Sequence, residues 1–311
     1  MDFFDEIFDT LALKGVLYFR TDFSAPWGVT VPDYQSVARF HLVVQGQCLF
    51  TVGDHPSITL NAGDLIMIPR GVSHTISDSE LSQTPPLEQV LNDAQYDGQG
   101  VLSIGEGDTK ASTQLVCGHL SFRELAQHPI LQAMPDYLTL SSSCRAKHPL
   151  LDNILRMITQ RAFSHEIGSA ASITRLSEIV FIELLKASVE NDPQLEAILS
   201  GFQDPKIGKS LQLIHTTPQS PWTVESLASE VAMSRSRFSL RFQSLMGTGP
   251  MSYLSDWRLQ KALSLLDTSR LTVAQIASKT GYQSPSAFTR AFSGKFGIAP
   301  RIYRQSQDAQ H

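Results

Sequence analysis

Two sets of side chains in this 311-residue chain are of types and spacings that do chemistry. The first is polar and recurs. Arg235, Ser236, Ser239 and Leu240 in one stretch, and Ser286, Thr289 and Arg290 in another, project away from phenylalanines at helical spacing: Phe238 and Phe242 in the first, Phe288, Phe292 and Phe296 in the second. A guanidinium on such a face can bond guanine O6 and N7 together, worth about 1–3 kcal/mol of discrimination per pair. Arg301 and Arg304 stand beyond the second stretch, where contact with phosphate is the expected role; phosphate contacts position a protein on a duplex and base contacts specify the sequence. The second set is His41 and His74 with Cys48. Imidazoles and thiolates are metal ligands, but a stable site takes three or four donors. Two alternatives follow: a metal ion held by His41 and His74, or two structural histidines in a hydrogen-bonded pair. Cys48 can point into the same core. Cys117, which follows a polar stretch, and Cys48 are candidates for redox chemistry, which needs an exposed thiol of lowered pKa; no Lys or Arg adjoins Cys117 in sequence. The three cysteines, with Cys144 the third, show no CxxC spacing, so neither a zinc finger nor a disulfide framework is read from them. No catalytic set is evident.

The elements that must position the first set are written as a repeat. At an offset of 50, Ser234 pairs with Ser284, Phe238 with Phe288, Phe242 with Phe292, Gly247 with Gly297, Pro250 with Pro300 and Tyr253 with Tyr303. Just upstream the offset is 49, Leu227-Ala228-Ser229 matching Ile276-Ala277-Ser278, so the second copy carries one extra residue around Gly281-Tyr282-Gln283. Each copy reads as helix, tight turn, helix. Thr223 and Thr272 open the first helices, and Ser234 and Ser284 cap the second ones, with Pro285 in the first helical position. Ala228 and Ala277 are small where the second helix must cross closely over the first. Between the copies Met251–Asp267 reads as a helix about 25 Å long at 1.5 Å per residue, long enough to hold two recognition helices near the ~34 Å repeat of the B-DNA major groove.

Several stretches of this region resemble the AraC family: Pro221-Trp222-Thr223-Val224 through Tyr253-Leu254, Met233-Ser234-Arg235-Ser236-Arg237-Phe238, and Gly281-Tyr282 through Phe296-Gly297-Ile298-Ala299-Pro300-Arg301-Ile302-Tyr303-Arg304. The closing Gly-x-x-Pro-x-x-Tyr-Arg is the most specific of these marks. The resemblance implies two recognition helices per chain in successive major grooves and a role as activator or repressor near promoters, with RNA polymerase as a partner if it activates. Ser236 and Leu240 stand where members of that family vary.

Residues 16–77 read as short strands. Val16–Arg20, Phe40–Val44, Gln47–Val52 and Asp64–Ile68 are rich in apolar and β-branched residues, with turns at Gly46, Gly53, Asn61-Ala62-Gly63 and Gly71. This predicts a β-barrel or jelly roll. Gly63, Pro69, Gly71 and His74 resemble the second cupin motif, and Phe23–Gly28, Leu115–His119 and His128–Pro135 resemble the cupin subgroup fused to AraC-type DNA-binding domains. The first cupin motif departs from the pattern: where a metal-binding cupin offers His-x-His and then Glu, only His41 stands. That weakens an enzyme reading, since oxygenase chemistry needs a facial ligand set with open positions. Residues 78–113 are polar and glycine-rich and read as an exposed loop. From His148 to Leu199 the pattern is helical, with stripes Leu151, Ile154, Leu155, Ile158 and Ile173, Leu176, Val180, Leu184; Ser164–Ser172 joins them, and the two helices can cover the barrel and leave a seam for a second subunit.

Charge divides along the chain. Residues 1–204 carry 12 Lys/Arg against 25 Asp/Glu, and residues 205–304 carry 13 against 4, so a net charge of −5 conceals a basic C-terminal module on an acidic body. No apolar run is long enough to span a bilayer, and the acidic start Met1–Glu6 is unlike a secretory signal; cytoplasmic location and no membrane partner are expected. The reading is an α+β chain in three parts: a cupin-like sensor domain (1–147), a helical dimerisation and linker segment (148–204), and an all-α DNA-binding domain of two helix-turn-helix units (205–311). The expected function is sequence-specific transcription regulation by a homodimer on double-stranded DNA, controlled by a small-molecule effector sensed in the cupin. A constitutive regulator whose cupin is only a dimer scaffold, and a cupin enzyme with an appended DNA-binding module, are the alternatives.

Overall fold

The computed structural model describes residues 3–34, 37–105, 112–164, 166–188 and 192–308. In chain order the elements are α1 (Phe3–Leu11), β1 (Lys14–Phe23), β2 (Gly28–Val31), β3 (Val37–Gln45), β4 (Gln47–Val52), β5 (Ile58–Asn61), β6 (Leu65–Ile68), β7 (His74–Ser77), α2 (Leu87–Asp93), β8 (Val101–Ile104), β9 (Thr113–Ser121), α3 (Pro129–Ala133), β10 (Leu138–Leu140), α4 (Pro149–Ala162), α5 (Ser169–Ala187), α6 (Pro193–Gln203), α7 (Ile207–Thr216), α8 (Val224–Glu230), α9 (Arg235–Met246), α10 (Pro250–Thr268), α11 (Val273–Lys279), α12 (Pro285–Phe296) and α13 (Pro300–Asp308). They gather into two compact units that interleave along the chain. One is Leu13–Phe122 with Met134–Asp192; the other is Met1–Ala12 with Arg123–Ala133 and Pro193–His311.

The first unit is built on two sheets, ordered β10-β6-β3-β9-β1-β8 and β2-β7-β4-β5. Period-2 alternation aims one face of each strand inward: in β4, Cys48, Phe50 and Val52 are buried and Gln47 is exposed. These side chains and Phe19, Val43, Ile66, Ile76, Leu102 and Leu115 from both sheets form one core. The expected barrel is therefore two sheets sharing a core. Helix α5 lies on β1, where the Gly15 amide donates to Glu178 Oε1 at 3.0 Å and any Cβ on Gly15 would run into the Thr174 carbonyl. The rings of Phe122 and Phe181 meet at 5.6 Å beside it.

The expectation of an exposed loop over 78–113 is corrected. Leu87 and Val90 place the inner face of α2 in the core, and Leu102 of β8 joins them. Two apolar residues at i and i+3 are enough to bury one side of a two-turn helix even when its surroundings are polar. Residues 106–111 of that stretch, and His165 in the α4–α5 connection, lie outside the described residues.

In the second unit α10 extends the predicted linker helix by one residue at each end and buries Tyr253, Leu254, Trp257, Leu259, Ala262, Leu263 and Leu266. Helix α1 and residues 123–133 also belong to this unit. The Arg123 amide donates to the Leu11 carbonyl at 2.7 Å, and Lys261 of α10 pairs with Glu6 at 2.9 Å.

Candidate nucleic-acid interface

The two helix-turn-helix units are closed by equivalent caps. Thr223 Oγ1 accepts from the Ser226 amide at 3.1 Å while Ser226 Oγ accepts from the Thr223 amide at 2.9 Å. In the second copy Thr272 Oγ1 accepts from the Gln275 amide at 3.2 Å, and Gln275 Oε1 accepts from the Thr272 amide at 2.8 Å. Both are reciprocal capping boxes. The tight turns also correspond: the Met233 amide donates to the Ala228 carbonyl, and the Tyr282 amide to the Ala277 carbonyl, both at 2.9 Å. The left-handed turn position is filled by Ala232 at φ 50° in the first copy and by Gly281 at φ 83° in the second. Alignment stays at offset 49 through Tyr282, so the extra residue is Gln283. Ser234 and Ser284 cap α9 and α12, whose last turns end on Gly247 and Gly297 at φ 70° and 72°. A glycine there reaches the left-handed conformation without the Cβ cost and closes the helix.

These caps fix which side of α9 and α12 faces outward. Phe238, Phe242, Phe288 and Phe292 are fully buried. Arg235, Ser236 and Leu240 are exposed and Ser239 half-buried; Ser286 and Arg290 are exposed and Thr289 half-buried. Leu240 is 73% exposed, high for a leucine. The two faces differ electrostatically. Arg235 is in an ion pair with Glu225 of α8, whereas Arg290 forms no ion pair among the described residues. Sequence reasoning passed over Arg237, Arg270 and Lys279, which are also exposed on this unit. The signal for them was the basic charge of the segment.

Arg301 and Arg304 separate. Arg301 is exposed at the start of α13. Arg304 is half-buried, with Nη1 donating to the Leu271 carbonyl at 2.7 Å and Nε to the Leu266 carbonyl at 3.3 Å. It caps the end of α10, where terminal carbonyls lack intrahelical partners. Asp256 of α10 is paired with Lys295 at 2.9 Å.

The histidines and buried cysteines meet inside the first unit. Cys117 Sγ lies 3.0 Å from His41 Nδ1, His41 Nε2 lies 3.0 Å from His74 Nε2, and His74 Nδ1 lies 3.0 Å from the Val72 carbonyl. The carbonyl can only accept, so His74 carries its proton on Nδ1 and accepts on Nε2. His41 then donates from Nε2 and accepts the Cys117 thiol proton on Nδ1. This chain satisfies both neutral rings. Burial, the neighbouring His74 and then Arg39 hold His41 well below the ordinary histidine range, and burial lowers His74 to about 4 against the opposing Val72 hydrogen bond. Burial, reinforced by Cys48, drives the Cys117 thiol far up, and burial with Asp64 pushes Cys48 up to about 12. These donors do not fit a metal centre: the rings are bonded to each other, and among the described residues no group of three or more His, Cys, Asp or Glu side chains could hold an ion. Nor do they fit a thiolate sensor, since neither buried thiol ionises readily. Cys144, which sequence reasoning left aside, is the exposed cysteine, its pKa lowered by hydrogen bonds from Ser141 and Ser143 and by Lys147. The cavity beside His41 and Cys117 measures about 30 Å³, and an open cleft of about 680 Å³ lies along Trp27, Leu81, Val90 and Ile104.

Comparison with known proteins finds two families along the chain. The cupin family matches residues 2–190 and a helix-turn-helix domain family matches residues 227–306. The HTH-type transcriptional regulator AlkR of Acinetobacter baylyi is 29% identical over 98% of this chain and 99% of its own length. A putative AraC-like transcription regulator of Streptomyces lividans is 30% identical over 98% of both chains. Among solved structures, the DNA-binding domain of AdpA in complex with a target DNA is 32% identical, covering 35% of this chain and 96% of that one, with a TM-score of 0.33. No helix among the described residues is long and apolar enough to cross a membrane.

Proposed function

Because the chain belongs to the AraC-type transcription regulators that carry an N-terminal cupin domain, we propose that it regulates transcription by placing α9 and α12 in successive major grooves of one duplex. The cupin unit controls that binding in response to a small molecule. The observation that carries the reading is the doubled, identically capped helix-turn-helix, whose outward residues Ser236, Ser239, Leu240, Ser286, Thr289 and Arg290 are aimed away from its phenylalanine core. Arg235 must exchange Glu225 for DNA, while Arg290 is ready to read a base. Arg301 serves phosphate.

The open cleft of about 680 Å³ is of a size that takes a small organic effector. Leu150 and Met157 of α4 and Ile179 of α5 are exposed large apolar residues and support self-association through that helix pair. The second reading, a constitutive regulator on a cupin scaffold, draws on the interior cavity, which at about 30 Å³ has room for about one water molecule. Footprinting on a duplex selected by the full-length protein from a random pool tests the main reading. Protection of two boxes one helical turn apart per protomer is expected; a single protected box contradicts it.

A further inference from the structure

The repeat pairs Tyr253 with Tyr303, and both tyrosines sit against the aromatic stripe of a recognition helix. Tyr253 meets Phe242 of α9 at 5.7 Å between ring centres, and Tyr303 meets Phe292 of α12 at 6.2 Å. Each hydroxyl is engaged by a group that leads to one short segment, Arg123–His128. At one end, His128 Nε2 lies 3.2 Å from Tyr253 Oη. At the other, the Tyr303 hydroxyl donates to Asp267 Oδ2 at 3.4 Å, and that same oxygen is ion-paired with Arg123.

The direction of these bonds is determined. The Ile130 amide donates to His128 Nδ1 at 3.2 Å, so His128 carries its proton on Nε2 and donates to Tyr253. The Tyr253 hydroxyl then donates to His215 Nε2 at 2.8 Å. His215 is left protonated on Nδ1, a buried atom with no hydrogen-bond partner. Arg123 is committed in every direction: besides Asp267, its Nη2 donates to Ser264 Oγ at 3.3 Å and its Nε to the Thr10 carbonyl at 3.1 Å. Between the two anchors Leu125 adopts φ 63° and packs into the core of the second helix-turn-helix unit. A left-handed leucine is costly, and the contacts on either side must hold it there.

The face of α10 that receives this segment is mixed: Trp257 packs against the His128 ring at 6.0 Å between centres, and polar side chains stand beside it. It presents Tyr253, Gln260, Ser264 and Asp267. Gln260 is 1% exposed, and neither its Oε1 nor its Nε2 has a partner. Burying an amide with no hydrogen bond is unfavourable, so Gln260 adds no directional contact, and those of the seam lie at its two ends.

We propose that Arg123 and His128 are positioning residues for DNA recognition: the segment between them is a strut that ties the equivalent tyrosines of the two helix-turn-helix units together and sets the spacing of their recognition helices. Neither residue touches DNA. They act through Asp267 and Tyr303 on α12, and through Tyr253 on α9.

The test uses the full-length chain and a duplex it selects from a random-sequence pool, with a second duplex carrying one base pair inserted between the two boxes. The wild type discriminates strongly between them. Arg123→Ala lowers affinity for the selected duplex by about 3- to 30-fold, the range of a coupling residue, and lowers it far less for the inserted duplex, so the preference for native spacing shrinks. Exchanging the charges in the double variant Arg123→Asp with Asp267→Arg restores the preference. Tyr303→Phe keeps the packed ring, removes only the hydroxyl, and shifts the spacing ratio in the same direction; it serves if Arg123→Ala does not fold. A merely structural role for Arg123 would lower stability and leave the spacing ratio of the folded fraction unchanged. A wild-type spacing ratio in both Arg123→Ala and Tyr303→Phe overturns the proposal.

Discussion

The Nε2 atoms of His41 and His74 lie 3.0 Å apart and share one proton, donated by His41 and accepted by His74. Adding a proton to His74 Nε2 would remove that acceptor and set a positive ring edge-on against His41 in a buried, otherwise neutral chain of hydrogen bonds. His41 and His74 are thus held neutral in the fold, as are His128, lowered to about 3 by burial, and His215.

Stability should therefore fall on mild acidification. In each of these histidines the folded pKa is below the unfolded value, so between about pH 6.5 and the folded value the unfolded chain binds a proton that the native chain does not. Stability is present above the unfolded pKa and is lost as pH falls below it, by up to about 1.4 kcal/mol per pH unit for each group. Calorimetry at pH 7 and pH 5 should show unfolding temperatures clearly lower at pH 5, a window above the ordinary carboxylate range. Equal temperatures would mean that the rings are not held neutral.

The three thiols should separate in reactivity. Cys144 is exposed with a lowered pKa, whereas burial disfavours the thiolates of Cys48 and Cys117. A chromogenic disulfide reagent at pH 7.5 should titrate one thiol rapidly, lost in Cys144→Ser, and the other two only in denaturant. Rapid modification of Cys117 in the folded protein would contradict the hydrogen-bonded chain to His41.

The two turn positions make opposite predictions. Ala232 holds φ 50° with a Cβ in place, so Ala232→Gly should stabilise the DNA-binding unit by about 1 kcal/mol. Gly281→Ala should destabilise it, because at φ 83° the new Cβ would lie 2.9 Å from the Arg258 guanidinium and from Gln219 Cα. Denaturant unfolding measures both. Stabilisation by Gly281→Ala would show that the turns are not equivalent.

How much of this could be read in advance differs between the two units. The helix-turn-helix pair was legible because a duplicated sequence states its own register: Thr223 and Thr272, Ser234 and Ser284, Gly247 and Gly297 mark the same boundaries twice. Helix α1 and residues 123–133 were not assigned to that unit, because their place depends on Arg123 meeting Asp267 across 144 positions of sequence, and no local periodicity encodes such a partner. Helix α2 escaped notice because Leu87 and Val90 are its only buried residues, too few for a stripe. The role expected for Arg304 changed for a related reason. A guanidinium that caps carbonyls looks, in sequence, the same as one that faces phosphate, and only the end of α10 distinguishes them.

Arg304→Ala should accordingly act on stability. Leu266 and Leu271 would lose their donors, at about 0.5–1.5 kcal/mol for each hydrogen bond, and the slope of log affinity against log salt should stay at the wild-type value. A slope reduced by about one unit would instead identify a phosphate contact.

Arg290→Ala tests the base-reading face of the second unit most directly. Its guanidinium is exposed on α12, two residues past the buried Phe288, with no ion pair among the described residues. Affinity should be measured across a salt series on the selected duplex and on a random duplex. The account predicts a loss of about 1–3 kcal/mol on the selected duplex, little change on random DNA, and an unchanged salt slope. Equal weakening on both duplexes, with a flatter slope, would make Arg290 a phosphate clamp and contradict the assignment of α12 as a base-reading helix.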